Sequence, residues 1–271
     1  MTRIDVRLRA LALLASVVPA YARAQTDYYD TDAGRPVRIE DASAIPRRAF
    51  ELQAAPLRLE RAAHGVYRWG LEPEIAYGVL PRTQLEIGAP LVYVDARPGR
   101  HLAGLAGVDV SLLHALNVET RLPALAVRAD VLLPAGPLGP DRARPSVTGL
   151  LTRTFRAVRV HANAQVTLGS ASDDRTDATV ETSRWLAGAA VDHTFPLRSM
   201  LVTGEVYARR PLRDGAPVEW NAGVGSRYQL TPRWAVDGGL ARRLTGGRTG
   251  DDRAWMLTAG GAFAFGLPWR P

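Results

Sequence analysis

The residues able to do chemistry are few, and their spacing decides what they can do. The chain has five histidines and no cysteine, which excludes thiol nucleophiles, thiolate metal sites and disulfides. Asp192 and His193 are adjacent, but in an extended chain neighbouring side chains point to opposite faces, so they do not form a base and its orienting carboxylate. His161 shares its face with Arg159 and Asn163. A polar interior contact is its expected role, with acid–base catalysis as the minor alternative. His64 and His101 are expected in outer loops, and His114 and His193 on an outward face. Asp173-Asp174 and Asp251-Asp252 read as solvated loop carboxylates with weak calcium affinity at most. Gly246-Gly247-Arg248-Thr249-Gly250 lacks the strand–loop–helix setting of a phosphate cradle. No metal spacing and no catalytic constellation emerges, so the expectation is a non-enzyme without metal or cofactor.

The elements that must position these residues follow a period of two. In Val158–Leu168 one face carries Val158, Val160, Ala162, Ala164, Val166 and Leu168, and the other Arg159, His161, Asn163, Gln165 and Thr167. Segments 66–79, 84–93 and 124–133 repeat the alternation. Continued along the chain, it predicts twelve strands, near 49–60, 66–79, 84–94, 102–115, 123–134, 146–155, 158–168, 184–195, 199–209, 219–230, 233–243 and 254–265. The first changes phase at Ala55-Pro56, which calls for a bulge. The sixth, with Leu150 beside Leu151, fits either facing.

Connections after even-numbered strands are mostly short, such as Pro81-Arg82-Thr83 and Thr231-Pro232. Those after odd-numbered strands are longer and polar, such as 95–101, 135–145 and 169–183. An even strand count with short turns at one end and long loops at the other is the pattern of outer-membrane barrels. The expected fold is therefore all-β, a transmembrane antiparallel up-and-down barrel of about twelve strands. An arginine facing lipid near the midplane costs roughly 2–4 kcal/mol, so the charges within strands belong inside. The expected lumen-lining set is Arg68, Glu74, Glu86, Asp109, Arg128, Asp130, Arg159, His161, Glu205, Arg227 and Asp237. Arg128 and Asp130, two apart on one face, should join a network of paired charges. Trp69, Trp185, Trp220 and Trp255 fall near the outer strand ends, and Trp234, Tyr228, Phe263 and Phe265 near the opposite ends, which gives two aromatic girdles.

Residues 1–24 read as a secretory signal peptide: Arg3, Arg7 and Arg9, an apolar core from Ala10 to Ala20, then Ala22-Arg23-Ala24 before Gln25. Removing them, with four arginines and one aspartate, lowers the net charge from +7 to +4. Every basic residue is arginine, and none form the basic stripe that nucleic acid requires. The expected organisation is a signal peptide over 1–24, an irregular periplasmic or lumen-inserted segment over 25–48, and a barrel over 49–271. The expected location is the outer membrane of a Gram-negative bacterium after cleavage near Ala24/Gln25. Its expected partners are outer-membrane lipid, the periplasmic export and barrel-assembly machinery, and a small solute.

Glu74, Tyr77, Gly78, Arg82, Gln84, Leu85, Glu86, Gly88 and Pro90 form a hairpin that resembles the E-x-x-Y-G … R-x-Q-L-E-x-G-x-P segment of outer-membrane transporters in the meta-pathway phenol-degradation family. The resemblance implies passage of small aromatic or hydrophobic solutes. A structural or adhesive barrel with a filled lumen is the alternative, and a membrane-embedded hydrolase a more distant one. The ending Gly266-Leu-Pro-Trp-Arg-Pro271 departs from the terminal aromatic residue common in such barrels.

Overall fold

The computed structural model describes residues 29, 31, 34–61, 66–97, 100–156, 158–169, 182–212, 215–245 and 254–266. The expected signal peptide and its cleavage site, His64, both paired aspartates of the loops, the 246–250 glycine loop and residues 267–271 lie outside them.

Every regular element among the described residues is a strand, and there are twelve once creased strands are taken as one. They are β1 (Ala49–Arg61), β2 (Tyr67–Leu71 continued by Glu74–Leu80), β3 (Thr83–Gly88 continued by Leu91–Arg97), β4 (Arg100–Leu105 continued by Val108–Asn117), β5 (Ala124–Leu133), β6 (Arg144–Phe155), β7 (Val158–Thr167), β8 (Ser183–Thr194), β9 (Met200–Pro211), β10 (Glu219–Thr231), β11 (Trp234–Thr245) and β12 (Trp255–Gly266). Each pairs antiparallel with the next. β12 returns to β1 from Ala49↔Gly266 to Arg61↔Trp255, which closes the barrel. Closure pairs both edges, the condition under which strands cross a hydrocarbon layer.

Local chemistry explains the departures from regular strand. The β1–β12 register shifts between Ala54 and Leu57, so the outward parity passes from Leu52 to Leu57 and the bulge restores the apolar face. Pro73 and Pro90 lack the N–H that a ladder needs. With Gly107, at φ 111°, they crease β2, β3 and β4 side by side. Bonds from Ala89 N to Pro73 O and from Ala106 N to Pro90 O hold the crease.

Outside, Val147, Val166, Val191, Val224 and Leu240 are exposed. Inside, Thr148, Thr167, Asp192, Asn221 and Asp237 are buried. An apolar exterior around a polar interior inverts a soluble core and suits a lipid surround. At the short-turn end Phe50 stacks on Tyr77 at 4.3 Å and Phe265 at 5.3 Å, and Trp234 packs on Phe263 at 4.6 Å. Trp69 and Trp220 stand exposed near the other end.

One connection is shorter than expected. β3 runs to Arg97 and β4 starts at Arg100, so His101 is a strand residue and not a loop residue. Its ring stacks on Tyr93, and Tyr93 Oη lies 3.1 Å from its Nδ1; this cross-strand pair carries the hairpin beyond the expected end. The ambiguous β6 faces Leu150 inward and Val147 and Leu151 outward.

Candidate functional site: the lumen and its inner strap

A barrel interior needs something to satisfy its polar walls, and here the segment before β1 does so. Val37, Ile39, Ala42 and Ile45 are buried together with Arg35, Glu40 and Asp41. Residues 34–46 form a strap inside the barrel. Four of its backbone donors, which have no ladder to join, are taken by wall side chains. Glu205 Oε2 accepts from Arg38 N at 2.7 Å and Ile39 N at 2.9 Å. Thr152 Oγ1 accepts from Ala42 N at 2.9 Å, and Gln84 Oε1 from Ile45 N at 2.7 Å. Thr258 Oγ1 donates to Pro36 O at 3.2 Å. The walls thin where the strap passes: a Cβ on Gly239 would lie 1.9 Å from Pro36 O, and one on Gly78 2.2 Å from Pro46 O. Glycine is required there for close approach of two backbones.

The inward charges fall into groups around this strap. Arg128 Nη1 donates to Glu40 Oε2 at 2.6 Å, and its Nε lies 2.6 Å from Asp130 Oδ1. Ser146 Oγ donates to Asp130 Oδ2 at 3.3 Å. Glu86 accepts from Ser111 Oγ at 2.6 Å and from the Gln84 amide. Glu74 and Asp109 lie half-buried on the same inner face. Arg35 pairs with Asp237 at 2.8 Å, and the fully buried Arg227 faces Glu51 at 3.5 Å. Arg68 stands apart, towards the long-connection end, 3.4 Å from Glu60. Burial pushes the strap carboxyl Glu40 up to about 8, with Arg128 opposing.

The third group is the one nearest to an enzyme site. Thr152 Oγ1 lies 2.9 Å from His161 Nδ1, and His161 Nε2 lies 2.8 Å from Asp192 Oδ2. Arg159 donates to both Asp192 oxygens at 3.0 and 2.7 Å and reaches Asp41 at 3.3 Å. Its guanidinium also sits 4.8 Å from the Tyr29 ring centroid. The order hydroxyl–imidazole–carboxylate is that of a nucleophilic relay. However, the hydroxyl is covered by the strap and already accepts Ala42 N–H, and His161 and Asp192 are each 1% exposed. What the arrangement does chemically is hold the strap. Parity correctly separated Asp192 from His193, but it could not show Asp192 meeting Arg159 across the β7–β8 register.

The pattern also missed a second cover. Val92 and Val94 on β3 are apolar yet inward. They are buried against Leu138 and Ala106, because the β5–β6 connection folds back over them. Leu138 N donates to Leu105 O at 3.1 Å. Apolar residues on an otherwise polar face were the available signal. Unanticipated too was the arginine-rich wall near the long-connection end. There Glu219 pairs with Arg209 at 3.0 Å and Arg243 at 3.0 Å, and Arg58 with Glu72 at 3.2 Å. Among the described residues no cluster of three metal-ligating side chains occurs.

A closed, apolar-coated twelve-stranded barrel with a charged interior is the architecture of outer-membrane channels, and solved structures agree on the fold. An outer-membrane channel from Pseudomonas putida F1 matches at TM-score 0.55 and 13% identity, over 87% of this chain and 100% of that one. The NanC porin matches at 0.54 and 9% identity, over 79% and 100%. The KdgM porin, solved in complex with disordered oligogalacturonate, matches at 0.50 and 8% identity, over 80% and 99%. No protein-family model matches the chain, and no curated protein matches it.

Proposed function

We propose that this protein is an outer-membrane channel for small solutes, seated in the outer membrane of a Gram-negative bacterium with its N-terminal strap in the lumen. The observation that carries the reading is the inversion itself: an apolar belt between aromatic bands encloses a polar, charged interior, a combination that serves passage across lipid. The channel architecture of the structural relatives supports it. The Glu74–Pro90 hairpin, similar to that of the phenol-degradation transporters, favours a small aromatic solute. Five of the lumen-lining residues, Arg128, Asp130, Arg159, Glu205 and Asp237, bond to the strap or to one another, and these would act through the strap they hold. Passage then requires the strap to shift, or a narrow path beside it.

The second reading, a structural barrel with a filled lumen, is favoured by the many bonds between wall and strap. Planar-bilayer recordings of the mature protein separate the two: discrete steps in conductance are expected, and a silent bilayer containing heat-modifiable, folded protein would refute the channel. No catalysis is proposed for Thr152, His161 and Asp192, whose hydrogen-bonding capacity is engaged by one another and by the strap.

A further inference from the structure

Charge is not evenly spread along the barrel axis. Towards the short-turn end the interior is rich in carboxylates: Glu40, Asp41, Glu51, Glu86, Asp192, Glu205 and Asp237. Towards the long-connection end, two adjoining cavities open above the strap, with about 320 and 360 Å³ of empty space, part of it open to solvent. Their charged lining differs in sign. Arg38, Arg209 and Arg243 line the first, Arg38, Arg58 and Arg68 the second, and Glu60 touches both. Glu72 lies in the second, and Glu219 stands behind the first, bridging Arg209 and Arg243. Arg242 also borders the first cavity, from the exposed outer face. Among the described residues the inward charges of this chamber are thus five guanidinium groups against three carboxylates, a surplus of two positive charges.

The pairings leave that surplus at identifiable atoms. Arg58 is matched by Glu72, Arg68 by Glu60, and Arg209 and Arg243 share Glu219. Arg38, at the top of the strap, uses its backbone N–H on Glu205, and among the described residues its guanidinium has no ion pair. Arg38 borders both cavities, with Arg243 beside it in the first and Arg58 in the second. A guanidinium without a carboxylate of its own, flanked by two more, describes a place for an oxyanion, whose geometry guanidinium forks match.

We propose that this outer chamber binds a small solute through its carboxylate, held by Arg38 with Arg58 and Arg243. The inference deepens the channel reading by naming its cargo as anionic. It also ties the cargo to the strap, because one of the binding groups belongs to the strap itself.

The test is equilibrium dialysis of sodium benzoate against the folded protein in detergent, with benzyl alcohol as the uncharged analogue. Benzoate should be retained and benzyl alcohol not, and inorganic phosphate should compete with benzoate because the site reads an oxyanion. Arg38→Gln should weaken retention about tenfold or more, the scale of a lost charge-assisted bond. Arg153→Gln, on the outward face of β6, should leave it unchanged. Heat-modifiable mobility of each variant shows that the barrel is intact. Equal retention of benzoate and benzyl alcohol, or unchanged retention in intact Arg38→Gln protein, would overturn the proposal. Dialysis needs no conduction. A protein that binds benzoate but passes no current contradicts the channel reading alone, and one that conducts without retaining benzoate contradicts this inference alone.

Discussion

Glu205 is where the strap is most directly held, and Glu205→Ala is the perturbation that best tests whether the strap governs the lumen. The carboxylate accepts two strap amides, from Arg38 N and Ile39 N. Hydrogen bonds to a charged group contribute roughly 1.5–3 kcal/mol each. In the variant, water can reach the freed amides from the chamber above and offset part of that loss, so a net penalty of about 2–4 kcal/mol on strap docking is expected. At 1.4 kcal/mol per tenfold, this raises the undocked population by roughly 30- to 700-fold. Single-channel recordings in planar bilayers should then show a larger or more frequently visited open state, approaching that of a protein lacking residues 25–46. Glu205→Gln retains one acceptor oxygen without the charge and should fall between. If Glu205→Ala conducts as the unmodified protein does while the strap deletion conducts more, Glu205 is not an anchor. If both conduct as the unmodified protein does, the strap does not lie in the conducting path and the argument fails.

Three further outcomes are expected. Gly239→Ala places a methyl where Pro36 O lies 1.9 Å away, so it should displace the strap and raise conductance in the same recordings without weakening the barrel's SDS resistance. Val224→Arg, outward at the centre of β10, should cost about 2–4 kcal/mol and impair assembly; Val127→Arg nearer the strand end should cost less, and inward Leu132→Arg least, as read by the fraction of heat-modifiable protein. Because Glu40 is raised to about 8 in the docked strap and returns towards an ordinary carboxyl value once released, docking binds the proton. Its contribution is fully present below the ordinary carboxyl range and is lost as pH rises through 8. Conductance should therefore increase from pH 6 to pH 9, and Glu40→Gln should flatten that dependence.

What was legible in the sequence was whatever depends on parity alone. β7 alternates at every position, so its inward Arg159, His161 and Asn163 needed no partner to be placed. The phase change in β1 announced its bulge because a lipid-facing strand cannot carry its charged residues outward. Register across long connections was another matter. Asp192 reaches His161 through the pairing of β7 with β8, and nothing in either strand fixes that offset when the connection between them spans residues 168–182. The arginines of the outer chamber were missed for a related reason. Arg209, Glu219 and Arg243 sit near strand ends, where alternation stops discriminating wall from loop.

The strap shows what kind of information a strand pattern lacks. Leu150 beside Leu151 made β6 ambiguous because it put an apolar residue on each face. The inner face is not wet there, since Leu150 packs with Leu113, Ala115 and Ala126 against Ala42 of the strap. Val92 and Val94 break the polar pattern of β3 for the same reason, beneath Leu138. A third exception, Leu186 and Tyr207 packed on Ile39 of the strap, has the same cause. The exceptions thus mark places where chain covers the inner wall, and beside them stand the charged wall residues. In a barrel of this kind an apolar residue with inward parity therefore locates a lumen-filling segment, and the polar remainder outlines the space left for a solute. Here that remainder ends at Arg58, Arg209 and Arg243, beside Arg38 of the strap.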